Sequence, residues 1–407
     1  YGVLRINRGD NTYVVNNTIS GSGTLAIGQN GNAPVTTSLV TLTGANDFTG
    51  NVNVSSGGLK IFNASALGVG PKNIALNNGA AGRSQLYLDG TAGNITLPAD
   101  FTLSTSNATP AEPAIGNLGG NNVVAGPITM TAGGGDTAVS VFGGTLALNG
   151  DITGNTTNRR LVLGGTAGSG SVNGVVSNAG TNPVGITKVG PVVWTLSGNN
   201  TYTGTTVVSE GTLRINGNQG SASGAVSVAS GATLDGTGTI GGGITADLGS
   251  TISPGNSIGT LTTTAPATIA GTLKIEVNAT TSDRLTVGGS LTLSGATLDV
   301  SALGTLTQPA YVIASYGLLN GTFSSITGLP SGYLVNYNYN GLGQIALVEG
   351  TDAYAAFELA NGISGAGPNA DSDGDGIANG VGVVLGGKAS GANSESNALR
   401  PAAPADA

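Results

Sequence analysis

The feature that most constrains this chain is a period of two, repeated in short bursts. Between Gly271 and Val277 the apolar residues Leu273, Ile275 and Val277 alternate with Lys274 and Glu276. An extended backbone puts the first set on one face and the charges on the other. Leu213 and Ile215 flank Arg214 in the same way, and Val226/Val228, Leu291/Leu293 and Leu86/Leu88 repeat the pattern. Turn dipeptides (Gly-Asn, Asn-Gly, Ser-Gly, Gly-Gly) recur every ~6–10 residues, closer than most β-sandwiches need. No long helical pattern precedes residue 350. The chain reads as all-β.

It is also self-similar. The stretch Trp194-Thr-Leu-Ser-Gly-Asn-Asn-Thr-Tyr202-Thr-Gly, continuing to Gly211-Thr-Leu213-Arg-Ile215-Asn-Gly217, has a degenerate twin. The twin starts Val40-Thr-Leu-Thr-Gly-Ala-Asn-Asp-Phe48-Thr-Gly and ends Gly58-Leu59-Lys-Ile61-Phe62. Both read apolar strand, Gly-x-Asn turn, aromatic-Thr-Gly, apolar strand, Gly, apolar strand. Three short strands per ~25 residues fit one rung of a right-handed parallel β-helix, a β-solenoid whose rungs stack ~4.8 Å apart and pair main chain to main chain. Over ~350 residues this predicts about 14–17 rungs and a rod near 70–80 Å long.

The 194–217 stretch closely resembles the autotransporter-associated β-strand repeat. Gly236-Thr-Gly-Thr-Ile-Gly, followed by Ser253-Pro-Gly-Asn-Ser-Ile-Gly-Thr-Leu261, is similar to the end segment of such passenger domains. The run from Tyr311-Val-Ile to Gly321-Thr-Phe323, then Tyr339 to Leu347, is similar to their closing rungs. The resemblance covers most of residues 1–350. It implies a secreted, surface-displayed β-helical stalk or adhesin of a bacterium with an outer membrane, and names no ligand. In place of a membrane barrel come Asp352-Ala-Tyr354-Ala-Ala-Phe357 and Asp371-Ser-Asp373-Gly-Asp375-Gly376. These resemble a short C-terminal module of large secreted repeat proteins. The expected organisation is a solenoid over 1–350, a small irregular or helical module over 351–387 and a linker-like tail over 388–407.

Composition removes several functions. Of 407 residues, none is His or Cys, so Ser-His-Asp and Cys-His nucleophile systems and the usual zinc and haem sites are excluded. Only 13 residues are Lys or Arg against 21 Asp or Glu, too few cations for nucleic acid, whose binding depends on neutralised phosphates. Stability cannot come from disulfides, although an oxidising location is permitted. No apolar run approaches the ~18–20 residues of a membrane span. The chain starts at Tyr1 with no visible signal peptide and reads as a processed or trimmed form.

The strongest candidate site is Asp371-x-Asp373-x-Asp375-Gly376. Oxygen ligands at alternate positions and Gly at the sixth are what a Ca²⁺ loop requires, but its twelfth position, normally a bidentate Glu, is Gly382. Asp371, Asp373 and Asp375 are therefore candidate Ca²⁺ ligands, set against a solvated acidic turn. Gly236-x-Gly238-x-x-Gly241 matches the dinucleotide fingerprint. With 72 Gly in the chain about two such matches arise by chance, and no helix pattern follows. Arg8-Gly9-Asp10 is read as a turn. Trp194, Tyr202, Phe48 and Phe62 are read as packing residues rather than a sugar platform, and turn residues such as Asn46 and Asn199 as bonding from rung to rung. The carboxylates outside 371–375 are scattered, and no enzyme is expected.

A solenoid leaves each end as a row of unpaired N–H and C=O groups, which must be capped, covered or paired. Val3, Leu4 and Ile6 look ready to pair. The favoured function is thus a structural protein that assembles with itself, head to tail, into a surface fibre. The alternative is a monomeric adhesin stalk. Self, a cell-surface polysaccharide and a host surface are the candidate partners.

Overall fold

A computed structural model describes residues 2–7, 12–28, 39–76, 84–106, 109–131, 136–155 and 158–350. The alternating segments become 40 strands, and the helical content of the described residues is confined to the 3₁₀ pieces Ala64–Leu67 and Tyr339–Gly341. No described helix is long and apolar enough to cross a membrane. The chain is a β-solenoid, as its spacing predicts.

Each full turn visits three faces in a fixed order. Face 2 is an unbroken ladder of 14 strands from Thr12–Val15 to Leu318–Asn320. Face 3 stacks 11 strands between Thr96–Leu97 and Ser325–Thr327. Face 1 comes in two ladders, one of 8 strands from Val3–Ile6 to Val176–Ser177 and one of 7 that begins at Asn218–Gln219. Every rung-to-rung pairing up to Ala310–Ser315 is parallel, as in Leu103 opposite Ile128 and Leu146 opposite Gly170. Alternation then does the rest. Leu25, Val52, Ile74, Leu103, Ile128, Ile152 and Val176 form one inward column, each at most 1% exposed. The side chains between them point out.

Glycine is abundant because corners stack as tightly as strands. Gly126, Gly150, Gly174 and Gly198 recur at intervals of 24 residues after face 3. A Cβ on Gly174 would lie 2.2 Å from the carbonyl oxygen of Gly150, and one on Gly198 2.2 Å from that of Gly174. No other residue type fits that column. Outward charges are matched across rungs: Arg214 and Asp235 are register partners on face 3, and their side chains form a two-pronged ion pair at 3.0 and 2.6 Å.

The C-terminal end is not open on every face. Gln344–Glu349 turns back antiparallel to Ala310–Ser315, and Tyr333–Asn336 adds outside it, again antiparallel. Tyrosines bolt this hairpin down. The Tyr311 hydroxyl donates to Ala279 O at 2.7 Å, that of Tyr333 to Gln308 O at 2.6 Å, and the two rings stand 5.8 Å apart. Among the described residues, faces 2 and 3 end on strands with no further partner, with Leu318 and Ile326 exposed. The expectation of an open end therefore holds for only part of this pole. Folding face 1 back moves its edge from Ala310–Ser315 to the antiparallel strand Tyr333–Asn336.

Candidate binding surface

The repeat segments decide where the coil lacks a strand. Residues 197–205 occupy the face-1 position between Val176–Ser177 and Asn218–Gln219 without forming a strand. Residues 43–51 of the other copy lie strand-free between face 2 and face 1, the position face 3 takes from Thr96 onward. One sequence pattern thus serves two different faces. In both, an inward Asn replaces the missing main chain: Asn200 Oδ1 accepts the Val176 N–H at 2.7 Å, and Asn46 Oδ1 accepts the Ile19 N–H at 2.8 Å. Asn46 also donates to Ala66 O on the next rung at 2.6 Å.

The aromatic residues pack, as the sequence suggests. Trp194 is 0%, Phe48 1% and Tyr202 2% exposed. The Trp194 indole N–H donates to Gly164 O at 2.9 Å. The Tyr202 hydroxyl bonds Thr206 at 2.7 Å and Gln219 at 3.2 Å, and burial pushes its phenol up to about 12. Phe62 lies nearer the surface, with Lys60 Nζ 4.6 Å from its ring centre. Asn199 bonds along the stack, accepting the Asn218 N–H at 3.2 Å. Asn200, its buried neighbour, is the position that matches Asn46 in the frame that matches Phe48 with Tyr202, a signal that the sequence reading did not use.

Two lysines are also missed. Lys188 is fully buried, and its ammonium donates to the carbonyls of Val189, Gly190 and Glu210 at 2.6–3.0 Å. Lys72 donates to Phe48 O and Leu67 O and lies 4.4 Å from the Phe48 ring centre. Burial pulls both ammoniums down to about 8. Each supplies donors to carbonyls gathered at a corner, Phe48 O also accepting the Val69 N–H at 3.0 Å. A Lys on an outward-facing pattern gives no sign of this use.

Loops that break the regular coil gather at two corners. In the first half they connect face 1 to face 2. There the Thr109–Glu112 turn lays Pro110 across face 2, where the Ser140 hydroxyl donates to Pro110 O at 2.9 Å. Asp136 and Arg160, set beside this loop, pair at 2.6 Å on the surface. In the second half the loops connect face 3 to face 1, at 254–259, 277–282 and 303–309. Asp283 lies 1% exposed beneath the first two. Its Oδ1 accepts the Gly259 N–H and its Oδ2 the Glu276 N–H, each at 2.8 Å. Burial raises its carboxyl to about 6, although those two N–H groups pull it down.

This geometry presents exposed loops on a rigid column. Its paired carboxylates face cations or N–H groups rather than one another, and no described cluster of three or more Asp or Glu could hold a metal ion. Gly236, Gly238 and Gly241 lie in and beside the strands Thr233–Gly236 and Thr239–Ile240, not at a helix start, so the dinucleotide reading fails on context. Arg8-Gly9-Asp10 and the candidate Ca²⁺ ligands Asp371, Asp373 and Asp375 lie outside the described residues.

Residues 39–61 and 186–215 match the passenger-associated-transport-repeat family. These ranges cover nearly all of both copies of the internal repeat, 40–62 and 194–217. A segment of 64 residues is 44% identical to the adhesin BmaC autotransporter of Brucella suis biovar 1 (strain 1330). The match covers 16% of this chain and 2% of that relative.

Proposed function

We propose that the chain, whose residues 39–61 and 186–215 match the passenger-associated-transport-repeat family, works as part of a secreted, surface-displayed adhesin: a stiff β-solenoid stalk that holds loop-bearing corners away from a bacterial cell. The observation that carries this reading is the continuity of face 2. Its 14 parallel strands run without a break under loops of changing length, and variable loops on a regular scaffold are where binding residues concentrate. The similarity to an adhesin points the same way. The role is adhesive rather than catalytic, and the partner is a host surface or a surface polysaccharide. Purified protein coated on beads should adhere to host-cell monolayers or immobilised glycans, and replacing loop residues 254–259 and 303–309 with Gly-Ser should reduce adhesion. Beads no stickier than albumin-coated ones would overturn the proposal.

Head-to-tail assembly is the second reading. What favours it is an apolar hollow beside the first described strands. Leu4, Ile6, Tyr13, Val15 and Ile19 line a cavity of about 560 Å³ there, with Val3 and Leu4 59% and 48% exposed. The antiparallel hairpin that follows Ala310–Ser315 weighs against it, since it covers the face-1 edge on which a further parallel rung would stack. Negative-stain images should show single rods on the first reading and filaments on the second. The Asp371–Asp375 loop stays a Ca²⁺ proposal. Calorimetric titration should give heat that an Asp373→Ala, Asp375→Ala variant lacks, and equal heats would dismiss it.

A further inference from the structure

The segment Ser253-Pro-Gly-Asn-Ser-Ile-Gly259 is the one sequence motif that the stalk reading leaves unused. It leaves face 3 after Pro254, makes a tight turn and rejoins face 1 at Thr260. The turn is closed on itself: a Cβ on Gly255 would lie 2.0 Å from Ser257 O and 2.7 Å from Asp283 Oδ1. Asn256 and Ser257 are exposed. Two hydrogen bonds fasten the far side of the loop to the next rung: the Gly259 N–H donates to Asp283 Oδ1, and Gly259 O accepts the Arg284 N–H at 2.9 Å. The other oxygen of the same carboxylate is committed to Glu276, whose carbonyl also accepts the Asp283 N–H at 2.8 Å.

We propose that Asp283 is a proton-operated fastener: ionised, it pins the Pro254–Gly259 loop to the 277–282 hairpin, and protonated, it lets the loop go. A carboxylate accepts at both oxygens, whereas a carboxylic acid carries O–H at one of them and cannot accept both N–H groups equally well. Each bond has a main-chain bond beside it, Asp283 N–H to Glu276 O and Arg284 N–H to Gly259 O. Glu276 is also held in a paired strand whereas residues 255–259 are not, so the loop's bond to the carboxyl is the one that gives way. The proton settles on Asp283 Oδ1, and no other bond is made or broken. The charged groups facing it are Glu276 and Lys274, both on Thr272–Val277, the first favouring protonation and the second opposing it. Arg284 follows it on its own strand, and the loop itself carries no titratable residue. The carboxyl's rise to about 6 puts the change in mild acid. The consequence for an adhesin is a corner loop whose freedom depends on the acidity of its surroundings.

The chain has no Cys, so a single spin label is clean. A Ser257→Cys label on the full chain should be immobile at pH 7.5 and gain a mobile fraction towards pH 5, with a midpoint about 6. A Thr181→Cys label, on the turn Ala179–Asn182 of the other corner, should not respond. Glu276→Gln should keep the response and lower its midpoint, and Asp283→Asn should abolish the pH dependence. A Ser257 label indifferent to pH would overturn the proposal. So would a Thr181 label that loosens in parallel, or a response that persists in Asp283→Asn. The two-label titration of the otherwise unchanged chain decides the matter even if Asp283→Asn fails to fold.

Discussion

The side-chain amide of Asn200 stands where a strand's main chain would stand against Val176, its Oδ1 2.7 Å from the Val176 N. Asn46 does the same for Ile19 and bonds Ala66 as well. Asn200→Ala leaves one buried N–H unpaired and should cost about 1–3 kcal/mol. Asn46→Ala strips two main-chain groups and should cost roughly twice that. Urea unfolding midpoints of the two variants check the order. Equal losses would mean that the Ala66 bond contributes nothing.

Corner glycines should be intolerant in a position-specific way. Gly174→Ala drives a methyl to 2.2 Å from Gly150 O, whereas Gly93 has nothing within 4 Å of its added Cβ. Neither change alters a polar group. Thermal melts should show Gly174→Ala destabilised by about 2 kcal/mol or more, since backbone must move to make room, and Gly93→Ala unchanged to within ~0.5 kcal/mol.

Trp194 fills its layer because the residue beneath it on face 3 is Gly170. A Cβ there would come within 2.5 Å of the indole carbons. Gly170→Val should therefore fold poorly alone. Trp194→Phe loses the bond to Gly164 O and should cost about 1–3 kcal/mol. Combined with Trp194→Leu, Gly170→Val should recover part of its loss, a coupling that a double-mutant cycle measures.

Buried ionisable groups set opposite slopes at the two ends of the pH scale. Asp283 has a folded value of about 6, above its ordinary 3.8, because its charged form is buried. Its contribution to stability is fully present below pH 3.8 and is lost as pH rises through about 6, on the order of 3 kcal/mol. Burying the charge outweighs the Gly259 bond, so the rod stays folded in mild acid while the loop is freed. Lys72 and Lys188, at about 8 against 10.5, add stability as pH rises from about 8 towards 10.5. Melting temperatures of wild type and Asp283→Asn should differ in slope between pH 4 and 7, and those of wild type and Lys188→Met between pH 8 and 10.5.

The coil was legible in the sequence because its signals are local. Alternation at Leu273-Lys-Ile275-Glu-Val277 dictates one buried face, and the twin repeats at 40–62 and 194–217 dictate stacking. The burial of Phe48, Trp194 and Tyr202 followed from their shared frame. What stayed hidden depends on partners a rung away. Whether a repeat's bare segment falls on face 1 or face 3 is set by how many strands precede it. Lys188 turns inward to the carbonyls of its neighbours Val189 and Gly190 and of Glu210, and the last of these comes from the next rung. The antiparallel return of Gln344–Glu349 reads as one more alternating strand, since direction leaves no trace in periodicity. Asp283 is a single acid in a Thr-rich stretch, and only the fold of the 254–259 loop gives it a task.

Stacking itself is what the stalk, the loops and the fastener all require, and one distance tests it. Ser227, Thr245, Thr268, Thr292 and Asn320 are successive register partners on the outside of face 2. Four rung spacings separate the first from the last, about 19 Å at ~4.8 Å each. Spin labels on Ser227→Cys and Asn320→Cys, read by pulsed dipolar spectroscopy, should give one narrow distribution centred near 20–25 Å once label linkers are allowed for. A broad distribution, or a centre beyond about 35 Å, would contradict the stacked coil.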